Sequence, residues 1–155
     1  MHRVGLAGDV AANADLDGEL MRLIQVPHTH VDQAWRDGAS SLADACARVE
    51  EVTSSQLKLM LARNEYQLLA MLDGQRPKAW AAVCVQQLPN LRALFIYSIW
   101  APGATGAEAM EQLMEYAKHN GCSVIRGACD DAVARLWERR FAAKKIYQII
   151  EVAIT

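Results

Sequence analysis

The sequence predicts a single α/β domain, a mixed β-sheet flanked by helices in the order β-α-α-β-β-β-α-β-α-β. Three observations predict it. Apolar runs of strand length over residues 66–72, 80–88 and 91–100 follow one another at short intervals, which is the pattern of an antiparallel meander. A helix-spaced segment over 106–119 comes next, opened by Pro102-Gly103 and closed by Asn120-Gly121. Residues 122–126 are strand-like again, so a helix joins two strands and a parallel crossover is expected there.

Each element has a local cause. Residues 1–21, rich in Ala, Gly and Asp, show no sustained period and read as an N-terminal extension to a domain over 22–155. Asp9, Asp15, Asp17 and Glu19 break any apolar stretch there, which argues against a signal peptide. Leu23-Ile24-Gln25-Val26 is a short strand stopped by Pro27, because the residue before proline is pushed out of the helical region. Over 31–49, Leu42, Ala45 or Cys46, and Val49 recur at helical spacing, with Gly38 marking a break.

Thr53 and Gln56 have capping-box spacing ahead of Leu57, Met60 and Leu61 on one helical face. Asp73-Gly74 is a hairpin turn signal, and Pro89-Asn90 closes the next strand. Asp130-Asp131 reads as the cap of a helix over about 131–140, with Val133, Leu136 and Trp137 on its inner side. Residues 146–154 are β-branched and apolar. Period two puts Ile146, Gln148, Ile150, Val152 and Ile154 on one face, which predicts a final strand.

Composition narrows the function classes. The chain has 155 residues, 52% hydrophobic and 22% charged, which suits one globular domain rather than a disordered one. Its net charge of -2 gives no general argument for nucleic acid. Arg135, Arg139, Arg140, Lys144 and Lys145 read as the solvated side of a helix and its exit. Cys46, Cys84, Cys122 and Cys129 form no C-x-x-C pair and read as buried free thiols in a reducing compartment. His28 and His30 with Asp32 lack a further ligand at motif spacing, so no metal is expected. No apolar run is long enough to span a membrane. Trp35, Trp80, Trp100 and Trp137 read as core anchors.

This order of segments resembles the GNAT superfamily of N-acetyltransferases over about residues 22–154. The likeness is closest to small GNAT-like proteins encoded by bacteriophages, on Ile24-Gln25-Val26-Pro27-His28 and Leu42-Ala43-Asp44-Ala45-Cys46. The resemblance implies acetyl-coenzyme A as cofactor. Its pantetheine arm would enter a gap between the strands over 91–100 and 122–127, and its pyrophosphate would lie on the helix N-terminus. A strand, a small-residue turn and a helix start present unpaired N–H groups suited to such an anion. The implied cofactor residues are Trp100, Gly103, Ala104, Thr105, Gly106 and Ala107. Laid on the family's glycine-spaced signature, Ala101 replaces Gln or Arg, Ala104 replaces Gly, and Gly106 matches.

The resemblance also implies a carboxylate base on or beside the strand before the cofactor helix, and a tyrosine acid on the last helix. Residues 91–100 contain no Asp or Glu, and the preceding strand offers Gln86 and Gln87. In the tyrosine's place stands Leu136-Trp137-Glu138, and the Trp137 indole gives up no proton usefully. Tyr97 and Tyr147 are therefore the candidate catalytic residues. Two functions follow: an acyl-coenzyme A dependent N-acetyltransferase with a degraded cofactor motif, or a catalytically silent GNAT-fold structural or protein-binding component of a bacteriophage. The expected partners are a second copy or a phage or host protein, reached through apolar patches of the 57–61 helix or the final strand. The expected location is the cytoplasm, the host's if the chain is phage-encoded, or the virion.

Overall fold

The computed structural model describes residues 21–45, 51–103 and 105–155, with the backbone alone described at Thr105. Residues 1–20 of the expected extension, Cys46, Val49 and Ala104 lie outside the described residues, and Met21, expected in the extension, opens the first strand. Among the described residues five strands form one sheet in sequence order: β1 (Met21–Val26), β2 (Gln67–Asp73), β3 (Arg76–Gln87), β4 (Arg92–Trp100) and β5 (Val124–Gly127). The first three pairings are antiparallel and β4–β5 is parallel. The expected meander and the expected crossover are both present.

Between β1 and β2 the chain forms α1 (Val31–Ala34), continued through a wide turn over Trp35–Ala39, then α2 (Ser41–Ala45) and α3 (Ser54–Ala62). Gly38 is the break the sequence marks. Its φ of 128° is open to glycine, and a Cβ there would lie 3.3 Å from the Trp80 indole nitrogen. The capping box opens α3: the Thr53 hydroxyl accepts from the Gln56 amide, and the Gln56 side chain accepts from the Thr53 amide. Leu57 and Leu61 are buried, and Lys58 reaches Asp32 at 2.7 Å.

The sheet separates two apolar layers. On one face Ile24, Val26, Leu68, Ala70, Leu72, Trp80 and Ala82 pack against Val31, Leu42, Leu57 and Leu61 of α1–α3. On the other, Leu69, Ala81, Val83, Leu94 and Ile96 meet Leu113 and Ala117 of α4 (Thr105–His119). Alternate residues of each strand serve opposite layers, as the pleat requires. Two side chains tie α4 to β1. The Gln112 carboxamide accepts from the Leu23 amide at 2.8 Å and donates to the Met21 carbonyl at 2.5 Å, and the Tyr116 hydroxyl donates to Gln25.

The last helix, α5 (Asp131–Phe141), is capped by Asp130, whose carboxylate accepts from the Val133 amide. Two expectations are corrected beyond it. None of its residues is fully buried, and Val133 and Leu136, expected on the inner side, are each 37% exposed; Trp137 alone of the three packs partly against the α4 layer. The final strand over 146–154 is not formed. Residues 142–155 carry no regular secondary structure and pair with nothing in the sheet. β-propensity is a fit to neighbours rather than a backbone preference, so a strand-like pattern without an adjacent ladder stays unpaired.

Candidate cofactor site

The site is built where β4 and β5 part. Parallel pairing runs from Ala93 opposite Val124 to Ile96 opposite Gly127 and stops there, while β4 continues to Trp100. A register shift marks the same point on the other side of β4: Val83 pairs with Ile96 and Ala82 with Ser98, leaving Tyr97 as the extra residue of a bulge. Bulges bend and twist a strand, so this one turns the end of β4 away from β5. Among the described residues, no strand pairs with the β5-facing edge of β4 over 98–100. Gly127 sits at the fork, where a Cβ would lie 3.5 Å from the Ile96 carbonyl and 3.9 Å from the Trp137 ring.

The N-terminus of α4 lies just past the end of β4. Gly103 is exposed with φ 61°, and its carbonyl faces the Gly106 amide at 3.4 Å. The first amides of α4 have no intrahelical acceptor and carry the positive end of the helix dipole. Gly106 has close neighbours: a Cβ there would lie 3.7 Å from the Ala101 carbonyl and 3.4 Å from Nη1 of Arg140. The Arg140 guanidinium, in the last turn of α5, therefore stands beside the start of α4. Two sources of positive potential converge, an arrangement that suits an anionic diphosphate. Ala107 and Glu108 are exposed in the same first turn.

The other candidates divide. Trp100 is half-buried opposite Trp80 and packs into the α1–α3 layer, as does Tyr97, whose ring lies 4.7 Å from that of Tyr66. Next to Tyr97, buried Ser98 donates from its hydroxyl to the Leu42 carbonyl at 2.7 Å and holds this part of β4 against α2. Tyr147 is 71% exposed beyond α5, so the structure does not bring the two tyrosines together. Burial pushes the Cys84 thiol up, partly opposed by a hydrogen bond with Tyr66. Cys129, just past β5, is exposed rather than buried as expected, and its thiol is raised by desolvation and then by Asp130 and Asp131. Neither is an activated thiolate. His28 faces the Ala62 carbonyl at 3.2 Å and tethers its loop to the end of α3.

Sequence reasoning missed Arg140, Gly127 and the bulge at Tyr97. Arg140 sits among Arg139, Lys144 and Lys145, and nothing local sets it apart, because its neighbour Gly106 is on another helix. A bulge likewise leaves no trace in an uninterrupted apolar strand.

Solved structures share this architecture. A ribosomal-protein-alanine N-acetyltransferase from Brucella melitensis biovar Abortus 2308 superposes with a TM-score of 0.64 at 13% identity, covering 88% of this chain and 100% of its own. A GNAT family acetyltransferase from Staphylococcus aureus matches at 0.61 and 11%, covering 86% and 98%. An aminoglycoside N-acetyltransferase solved with CoA matches at 0.60 and 11%, covering 88% and 96%. No protein-family model matches the chain, and no curated protein matches it in sequence. The chain has the fold of the GNAT acetyltransferases.

Proposed function

We propose that the protein binds acetyl-coenzyme A between β4 and β5 and acts as an N-acetyltransferase. The observation that carries this reading is the convergence at the fork: diverging parallel strands, the N-terminal amides of α4 and the Arg140 guanidinium. The turn over 103–107 and Arg140 would hold the diphosphate, and the edge of β4 past the fork would receive the amide-bearing arm. The cofactor supplies the acyl thioester. What this chain must add is a proton for the departing thiolate and a means of keeping the acceptor amine neutral. Tyr97 is the candidate proton donor, since it lies on the bulge where the strands begin to part.

A second reading is favoured by two observations. The strand Arg92–Trp100 offers no carboxylate, and Trp137, at the fork beside Gly127, has no transferable proton. A chain with this fold and no acid or base suits a binding component, such as one encoded by a bacteriophage.

Calorimetry with acetyl-coenzyme A tests the first reading. The glycine-poor turn predicts a Kd above roughly 10 μM, and Arg140→Ala should weaken binding about tenfold, equivalent to about 1.4 kcal/mol. Absence of heat at millimolar ligand overturns the proposal. Where binding is found, turnover separates the readings: a fall of about 100-fold in Tyr97→Phe at unchanged affinity identifies an acid, whereas no turnover in the parent chain supports the binding component.

A further inference from the structure

The fork between β4 and β5 narrows to an apex at Ile96 and Gly127, the last residues of the parallel pairing. Trp137 stands over that apex. Cη2 of its indole lies 3.9 Å from where a Cβ on Gly127 would sit, and the Ile96 carbonyl lies 3.5 Å from the same point. The indole is held from two sides. Phe141, one turn further along α5, meets it at a right angle with ring centroids 6.0 Å apart, and the indole also packs against the α4 layer. Arg140 follows Trp137 by three residues, so the guanidinium at the start of α4 and the ring over the apex share one face of α5.

The chain itself does not require glycine at 127. Its φ is not positive, and separations of 3.5 and 3.9 Å are ordinary contacts that a methyl group would make without a clash. Glycine in a strand gives up packing and costs backbone entropy. In return it leaves bare backbone where the two strands part, which lets a ligand approach closely.

We propose that Gly127 and Trp137 together set the acyl length that the site accepts. Glycine admits the thioester end of the arm to the apex, and the indole ends the space there, so the acyl group is acetyl and not a longer chain. This rests on the cofactor reading above. With the diphosphate held at the start of α4, the arm runs back along β4, and the acyl group is its leading end. It is therefore the part that meets the indole. Each methylene that an apolar wall refuses is worth roughly tenfold or more in discrimination.

Calorimetry with CoA, acetyl-CoA and hexanoyl-CoA tests the inference on the parent chain, Trp137→Leu, Trp137→Phe and Gly127→Ala. The parent should bind acetyl-CoA about tenfold or more tighter than hexanoyl-CoA. Trp137→Leu should bring the two within about threefold, with Trp137→Phe between. A ratio of two ligands on one variant is blind to a general loss of structure. Gly127→Ala, whose thermal melt should not fall, should weaken acetyl-CoA about tenfold. Three results each overturn the inference and leave the cofactor reading standing: equal binding of both acyl-CoAs to the parent, a preference for acetyl that survives Trp137→Leu, or full acetyl-CoA affinity in Gly127→Ala. Failure of CoA itself to bind the parent removes the cofactor reading, and this inference with it.

Discussion

The chain from β1 to α4 and the chain from β5 to the C-terminus are equally apolar in pattern and differ in how that pattern is satisfied. In the first part most apolar positions of the described strands and helices are buried or half-buried, with Leu59 and Met114 the large exposed exceptions, because two helical layers sandwich four antiparallel strands. In the second, α5 has no fully buried residue and the β-branched tail lies in solvent. Amphipathicity alone therefore does not decide burial. A strand or helix buries its apolar face only where another element lies across from it.

The largest effect that would sharpen this contrast is a pair of truncations of similar size. Leu94→Ala removes a fully buried side chain beneath α4 and should cost about 2–5 kcal/mol in denaturant unfolding. Ile150→Ala should leave the unfolding midpoint of dilute, monomeric protein unchanged. Equal losses at the two positions would show that the tail is part of the core.

Sequence legibility follows the same divide. The Gly38 break, the Thr53–Gln56 box, the Asp73-Gly74 turn and the Asp130 cap were readable because each is settled within a few residues. The order of strands was readable because period and turn chemistry agree along the meander. The fork was readable only in part: its two strands were evident, but the bulge at Tyr97, the nearness of Arg140 to Gly106 and the grip of Gln112 on β1 depend on residues far apart in the chain.

A smaller effect tests one of the local signals. Thr53→Ala removes the hydroxyl that caps α3 and should cost about 1 kcal/mol by chemical denaturation. No loss would mean that packing of Leu57 and Leu61 holds α3 without its cap.

The smallest effect belongs to the exposed ion pair joining α1 and α3. The Lys58 ammonium, by hydrogen bond and then by charge, holds the Asp32 carboxyl below its ordinary value of 3.8. A carboxylate with a depressed folded-state pKa contributes stability above its unfolded value, and that contribution fades as pH falls through the folded one. Exposure screens the pair, so Asp32→Asn should leave unfolding at neutral pH within measurement error. A clear loss, present at pH 6 and absent at pH 3, would show the pair to be worth more than its exposure allows.

By itself the sequence determined what is local: where the elements from β1 to α5 start, where glycine breaks them, and the succession of elements that makes this a GNAT fold. Capping and turn chemistry act over a few residues and need no distant partner. The tertiary structure alone decided which apolar faces are covered, where β4 leaves β5, and which arginine stands at the start of α4. Those outcomes depend on what lies across a gap, and a strand pattern such as 146–154 becomes a strand only when a ladder is there to receive it.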